Sequence, residues 1–385
     1  MMLLKFILRN ALRHRLRTSL TALGIFVAIL AFGLLSTVIE AWFSGVNTAS
    51  SSRIITRSSV SLVFPLPATY REKLRQVEGV TGVAGVNWFG GVYQETKNFF
   101  PQFAVDPEDY FPLYPEYLIP EPDYKEFLRD RKGAIVGRKL ANTYGWKVGD
   151  VVPLKGMIYP GNWEFVVRAI YDGRDSKVDT SQFFFHWDYL NERVKILMPR
   201  RANYYGLYVL GIADPDRAAE TGRVIDAQFR NSLAETLTET ERAFQLSFVS
   251  MVETLVVAIR VVSYLVIFII MAVMANTMAM SARERLSEYA TLKALGFKPF
   301  SVGGLIVGES MAIALIGGAL GVLATFPVAE LFRRLVGSLF PVFEVSQATV
   351  VLQFVCAAVV GMVAAVIPSV RAARVQIAAG LRAVA

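Results

Sequence analysis

The chain is almost without cysteine and histidine: 385 residues hold one cysteine, Cys356, and two histidines, His14 and His186. A lone thiol forms no internal disulfide, so any folded domain here relies on its own apolar core. The two histidines lie far apart in sequence, which removes a Cys/His metal site. A Ser/His/Asp arrangement could draw only on His186, and nothing near it marks a nucleophile. The sequence also lacks Gly-x-x-x-x-Gly-Lys-[Ser/Thr], so both the lysine and the backbone cradle for nucleotide phosphates are missing. Neither Gly-x-Ser-x-Gly nor His-Glu-x-x-His occurs. The chain is therefore expected to be no enzyme, with no catalytic, cofactor-binding or metal site of its own.

Charge is scarce in four long stretches. Hydrophobic residues make up 54% of the chain, and the excess over soluble domains gathers in these runs. They are Thr18 to Ile39, Val261 to Ala282, the stretch between Lys298 and Glu330, and Val345 to Val370. Only Glu309 interrupts them. At 1.5 Å of helix per residue, roughly 20 apolar residues cross a hydrocarbon core about 30 Å thick, so each run is long enough to span. The first run could instead be a signal peptide. Cleavable apolar regions are usually about 7–15 residues long and end in small residues. This one has 22 residues and ends in Val-Ile-Glu-Ala-Trp-Phe, so an uncleaved span is expected.

Basic residues set the expected orientation. Lys5, Arg9, Arg13, Arg15 and Arg17 precede the first run; Arg283, Arg285, Lys293 and Lys298 follow the second; Arg371, Arg374 and Arg382 follow the fourth. Only Arg333 and Arg334 lie between the third and fourth. Short loops rich in Lys and Arg stay cytoplasmic, which puts both termini inside and the stretch from Ala41 to Glu253 outside. The formal net charge of +8 follows largely from this asymmetry, and nucleic acid is not an expected partner. Residues 1–17 are amphipathic, with Leu4, Ile7, Leu8, Ala11 and Leu12 opposite the cations. They read either as an interfacial helix among membrane lipids or as an orientation signal, and the two are compatible.

The outer stretch reads as α+β. Helix is expected over Pro67 to Val77, and strand from Gly79 through the alternating Gly/Val run. Gly133 to Gly149 reads as strand, helix (Arg138 to Tyr144) and turn into Val151-Val152-Pro153-Leu154. Further strands are expected over Glu164 to Tyr171 and Tyr204 to Ile212, then one long helix from Asp216 to Glu253 feeding the second span. The aromatic clusters Phe99-Phe100, Phe183-Phe184-Phe185 and Trp187-Asp188-Tyr189 read as core or partner surface, with a small-molecule pocket as the alternative. The expected fold class is an integral membrane protein with four transmembrane α-helices and one large α+β extracytoplasmic domain inserted between helices 1 and 2.

The inner segment after the second span is amphipathic. Leu286, Tyr289, Ala290 and Leu292 form an apolar face, and Arg283, Arg285, Glu288 and Lys293 the polar surface. Gly296 suits a helix C-terminus and Pro299 a stop. Read alone it is a solvated connector. Yet Arg283-Glu-Arg-Leu-Ser-Glu-Tyr-Ala-Thr-Leu-Lys-Ala-Leu-Gly296 resembles the coupling segment of FtsX/MacB-like (LolC/LolE-like) ABC transporter permeases, the type VII superfamily. Gly308-Glu309-Ser310 with Gly317-Gly318-x-x-Gly321 is similar to that family's third span. Ile367-Pro368-x-x-Arg371-Ala-Ala-Arg374 and Gly380-Leu381-Arg382 are similar to its C-terminal signature. Gly133-Ala-Ile-Val-Gly-Arg-Lys-Leu-Ala141 and Gly145-Trp-Lys-Val-Gly-Asp150 are similar to its extracytoplasmic core. The matches cover nearly the whole chain in family order. The tail departs from the pattern, with Ile377-Ala-Ala-Gly-Leu-Arg382 where the family often has proline and an acid.

The resemblance implies these boundaries: cytosolic segment 1–17, spans 18–39, 258–282, 300–329 and 347–370, MacB-like periplasmic core 40–253, coupling segment 283–298, short outer loop 330–346 and cytosolic tail 371–385. It implies a stand-alone permease subunit of a bacterial inner membrane, with Arg283, Arg285, Glu288, Lys293, Leu295 and Gly296 coupling to a separate ABC ATPase. ATP and magnesium would be bound by that partner. Other implied partners are a second permease copy or homologue and an extracytoplasmic adaptor or hydrolase. The implied activity is export or extraction of a lipid, lipoprotein, peptide or drug. The alternative is mechanotransmission without transport, regulating an outer enzyme. A ligand sensor would need a cytosolic signalling domain, and inner segments of about 15–20 residues leave no room for one. Glu309, placed near mid-depth of its span, reads as an interhelical polar contact, with a substrate or proton site as the alternative. Gly304/Gly308 and Gly317/Gly321 are small-xxx-small pairs that allow close helix packing.

Single cysteines at Ser176 and Ser287, in a Cys356→Ala background, are expected to react with an impermeant thiol reagent from opposite sides of the membrane. Labelling from the same side would reverse this topology.

Overall fold

A computed structural model of the chain describes residues 15–96, 98–336, 340 and 342–374. The described part of the 1–17 segment is confined to its last three residues, and Gly380-Leu381-Arg382 lie outside it. The chain divides into a helical unit (residues 1–41, 252–337 and 343–385) and an α/β unit (42–251 with 338–342).

Among its described residues, the helical unit contains four helices long and apolar enough to cross a membrane. The first, α1 (Arg15–Trp42), is followed by the short α2 (Ser44–Thr48), which opens the α/β unit. That unit continues through β1 (Arg53–Ser58), β2 (Leu66–Pro67), α3 (Tyr70–Arg75), β3 (Val80–Trp88), β4 (Gly91–Val92), β5 (Gln102–Val105), α4 (Pro107–Leu113), β6 (Tyr117–Leu118) and α5 (Glu121–Arg129). Next come β7 (Gly133–Gly137), α6 (Arg138–Tyr144), β8 (Val151–Gly156), β9 (Gly161–Gly173), β10 (Phe183–His186) and α7 (Trp187–Leu197). It closes with β11 (Tyr204–Tyr205), β12 (Leu207–Ile212), α8 (Ala218–Gln228), β13 (Thr236–Thr240) and α9 (Glu241–Met251). The remaining helices are α10 (Glu253–Glu284), α11 (Leu286–Ala294), α12 (Pro299–Val336) and α13 (Gln347–Ala373).

One 11-stranded sheet organises the α/β unit, in the order β13-β1-β12-β3-β5-β10-β7-β9-β8-β4, with β6 against β9. Most neighbours are antiparallel; β10 runs parallel to β5, and β7 parallel to β9. Side chains alternate between the faces of a strand, so a strand covered on both sides reads as a continuous apolar run. Phe183-Phe184-Phe185 is that case. Phe183 and Phe185 join the core on one face with Trp163, Phe165 and Phe89, while Phe184 joins the other with Ile135, Tyr171 and Val209. All three phenylalanines are fully buried. The trio is core, and the exposed aromatics of this unit lie elsewhere, among them Phe64, Trp88 and Phe99.

The strand–helix–turn expected over Gly133 to Gly149 is present as β7 and α6, the helix ending at Gly145 with φ of 71°. The expected helix from Pro67 shortens to Tyr70–Arg75, because Pro67 pairs as a strand with Tyr204. The long helix expected from Asp216 to Glu253 is corrected: it is α8, β13 and α9. Asn231 takes φ of 57°, which breaks the helix, and the alternating Thr236, Thr238 and Thr240 favour an extended chain. The Asp226 carboxylate holds this turn by accepting from Thr236 Oγ1 (2.8 Å), Thr238 N (3.0 Å) and Thr238 Oγ1 (2.8 Å).

At the end of the sheet where β1 begins and β13 finishes sits a buried ion cluster. Arg53 donates from Nε to Glu241 Oε2 (2.8 Å) and from Nη2 to Glu116 Oε1 (2.7 Å). Its guanidinium also lies 4.1 Å from the centre of the Tyr114 ring. The backbone N–H of Ser50 donates to the same Glu241 oxygen at 2.8 Å. Burial works against the Arg53 charge, but its hydrogen bond to Glu116 and the charge of Glu241 outweigh it, and the guanidinium is held more firmly protonated than usual. Burial lowers the pKa of His186, and its Nε2 lies 2.8 Å from the Phe127 carbonyl oxygen.

Phe184→Ala should remove roughly 3–5 kcal/mol from the α/β unit, whereas Val60→Ala, at an exposed position, should change it by no more than about 0.5 kcal/mol. All five tryptophans lie within this unit, so tryptophan fluorescence during unfolding of the purified chain measures the difference.

Candidate functional site

The loop between the second and third spans is built as a helix rather than a solvated connector. Its helix α11 starts where α10 stops, with Arg285 as the joint, at φ −108° and ψ 18°. It ends at Leu295, and Gly296 follows with φ of 89°, a conformation that favours glycine. Tyr289 and Ala290 are buried, and they pack with Ala282, Val302, Ile306, Ala365 and Ala372 in a small apolar cluster.

The expected polar face is corrected at Arg285. Its side chain turns inward and is only 10% exposed. Nε donates to Glu288 Oε2 at 2.9 Å and Nη1 to Glu309 Oε2 at 2.8 Å. The Glu309 side chain is 12% exposed and that of Glu288 39%. The carboxylate that interrupts the third apolar run is thus ion-paired to the residue joining α10 and α11. Helix α12 has 38 residues, which at 1.5 Å each is roughly 57 Å and far longer than a hydrocarbon core about 30 Å thick. Its first turns pack beside α11. Burial pushes the Tyr289 phenol up to about 12, so it stays neutral beside this ion pair.

The other residues singled out by the sequence divide between contact and exposure. Lys293 Nζ donates to the Ala373 carbonyl at 2.6 Å, tying the end of α11 to the end of α13. Arg283 is exposed, and Leu295 is 73% exposed. Gly317 and Gly321 face the first span: a Cβ at either would stand 2.7 Å from the Ala22 carbonyl oxygen or 2.9 Å from that of Phe26. Gly304 faces open space and Gly308 is half-buried, so among the described residues no helix of this chain uses the close approach that glycine permits at Gly304.

Several contacts carry no local signal in the sequence. Arg17 makes a two-pronged pair with Glu284, at 2.7 and 2.8 Å, joining the start of α1 to the end of α10. Gln353 Nε2 donates to the Ile29 carbonyl (2.8 Å) and to Thr325 Oγ1 (2.9 Å), linking three spans. Thr349 Oγ1 donates to Glu40 Oε1 at 2.9 Å. Each joins residues from separate helices, and of these residues only Thr349 and Gln353 with its partner Thr325 stand as polar side chains inside an apolar run.

Removing one partner of a buried pair costs about 3–5 kcal/mol, because it strands the other charge. Arg285→Ala should therefore lower the thermal stability of the purified chain sharply, and Arg285→Ala/Glu309→Gln should recover much of the loss. Strictly additive effects of the two substitutions would show that the pair does not interact.

Residues 18–228, more than half of the chain, match the MacB-like periplasmic core domain, and residues 260–377 match the FtsX-like permease C-terminal domain. The ABC transporter permease MJ1507 of Methanocaldococcus jannaschii is 24% identical over 86% of this chain and 85% of its own length. The macrolide export ATP-binding/permease protein MacB of a Shewanella species is 22% identical over 58% of this chain, and the match spans 34% of that protein. The permease YvrN of Bacillus subtilis is 35% identical over 28% of this chain and 25% of its own. Among solved structures, the periplasmic region of MacB from Actinobacillus actinomycetemcomitans aligns with a TM-score of 0.37 and 6% identity, covering 53% of this chain and 95% of that one. With four helices fit to cross a membrane and a large domain between the first two, the chain belongs to the FtsX/MacB family of ABC transporter permeases.

Proposed function

We propose that the chain is the membrane subunit of an ABC export complex, in which separate ATPase subunits dock on α11 and drive movement of the extracytoplasmic domain. Two copies, or this chain and a homologue, would sit on two ATPases, with both termini and α11 in the cytosol. The work done outside would be extrusion or extraction of a lipid, lipoprotein, peptide or drug.

The observation that carries this reading is the way α11 is fastened. Arg285 ties its start to Glu309 of α12, and Lys293 ties its end to Ala373 of α13. A helix held at both ends transmits a push to the spans that hold it, whereas a flexible connector would absorb the push in its own dihedrals. The C-terminal end of α11 leaves an apolar side chain, Leu295, exposed for a partner.

Purified from its native membrane in mild detergent, the wild-type chain should bring down an ABC ATPase and should hydrolyse no ATP once that subunit is removed. Leu295→Asp changes an exposed position and should cost the fold no more than about 0.5 kcal/mol. It should nevertheless lose the ATPase. Retention of the ATPase at wild-type level would remove this end of α11 from the docking surface.

A further inference from the structure

A loop that only closes two spans needs no fixed shape, yet the one between α12 and α13 is fastened at Phe340. Residues 338–342 belong to the α/β unit. Phe340 is 6% exposed, although it lies outside both apolar cores of the sheet. Its ring stands edge to face with that of Trp42, the centroids 5.5 Å apart. Its carbonyl oxygen accepts from Lys139 Nζ at 2.9 Å, and a charged donor strengthens such a bond. The lysine lies 201 residues earlier in the chain, so proximity in sequence does not account for the contact.

The anchor on the domain side is rigid. Lys139 sits in the first turn of α6, whose Leu140 and Ala141 are buried in the core. Its neighbour Arg138 makes a two-pronged pair with Asp172 of β9, both contacts at 2.9 Å. Helix α6 follows directly on β7, which has β10 on one side and β9 on the other. In sheet order β7 stands five strands from β1, so this anchor and the chain's own entry at β1 meet the sheet at different strands. On the side of the spans, Phe332 near the end of α12 and Phe343 before α13 are in ring contact, 5.2 Å between centroids. The same two helices hold α11, through Glu309 and the Ala373 carbonyl.

We propose that Lys139 and Phe340 couple the ATPase to the sheet. A push on α11 passes along α12 and α13 into their connecting loop, and enters the α/β unit at α6 and β7. This path rests on the reading that an ATPase docks on α11, and it runs beside the route through α1 and α10. Coupling between distant sites travels through packed side chains, hydrogen bonds and rigid elements, and each link here is one of those. Lys139 is a positioning residue, which acts by holding the loop. Movement arriving through β1 and β13 alone would load the edge of the sheet; movement arriving at β7 as well loads a strand with neighbours on both sides.

Hydrogen exchange tests the path, in lipid nanodiscs holding the chain with the ATPase that co-purifies with it, nucleotide-free and trapped with ATP and vanadate. In the wild type the amides of α6 should change their exchange rate between the two states by about fivefold or more. Lys139→Met keeps the hydrocarbon stem and removes the donor, whereas Phe340→Ala removes the ring and keeps the carbonyl. Lys139→Met should abolish the change at α6 and Phe340→Ala should weaken it, while α11 still responds and tryptophan fluorescence shows the α/β unit folded. Lys139→Arg, which can still donate to the carbonyl, should keep the response. A response at α6 of wild-type size in both Lys139→Met and Phe340→Ala would overturn the proposal, as would a wild-type complex that responds at α11 and not at α6. Either result leaves the docking of α11 standing. A wild-type complex with no response at α11 overturns the docking reading and this proposal together.

Discussion

Hydrocarbon offers a side chain no hydrogen bonds, and the arrangement of the helical unit follows from that constraint. A polar group left inside an apolar run is costly unless it finds a partner in the protein. Gln353 reaches a backbone carbonyl of α1 and a hydroxyl of α12, and Ser310 Oγ donates to the Gly361 carbonyl of α13 at 2.6 Å. Apolar packing alone would let neighbouring helices slide along one another, since one leucine contact resembles the next. These few hydrogen bonds fix the axial register, and Gly317 and Gly321 set how closely α12 approaches α1.

Arg285 shows the same constraint at the boundary of the spans. A guanidinium at a helix joint could have faced solvent, and helical periodicity by itself assigns it there. The deciding fact is Glu309, 24 residues further along the chain, whose carboxylate needs a cation. The joint turns α11 back along α12, and the arginine lies between them. Periodicity is a local signal and does not register a demand made from another helix.

The same division runs through the large domain. The four spans were legible because composition alone marks them. The β7–α6 turn was legible because its glycines mark the strand end and the helix end. The helix expected over 216–253 failed at Thr236–Thr240, where the decisive partner is β1, about 180 residues earlier in sequence. Alternating threonines were the only trace of that pairing. At the candidate site the sequence supplied the residues, and the structure supplied which of them meet. Gly304 had the same appearance as Gly317, yet one faces open space and the other a helix backbone.

The cluster at Arg53 bears on how the large domain carries load. Strands β1 and β13 are antiparallel neighbours, paired from Ile54 opposite Thr240 to Ser58 opposite Thr236. The chain enters β1 and leaves β13 at the same end of that ladder. Force that spreads these two passages would open the ladder like a zipper, one cross-strand bond at a time, rather than shearing all of them at once. Unzipping is the weak direction for such a pair. Glu241 binds both Arg53 and the Ser50 backbone at the end where the zipper would start. Pulling on the two connections would therefore load this carboxylate before the rest of the ladder.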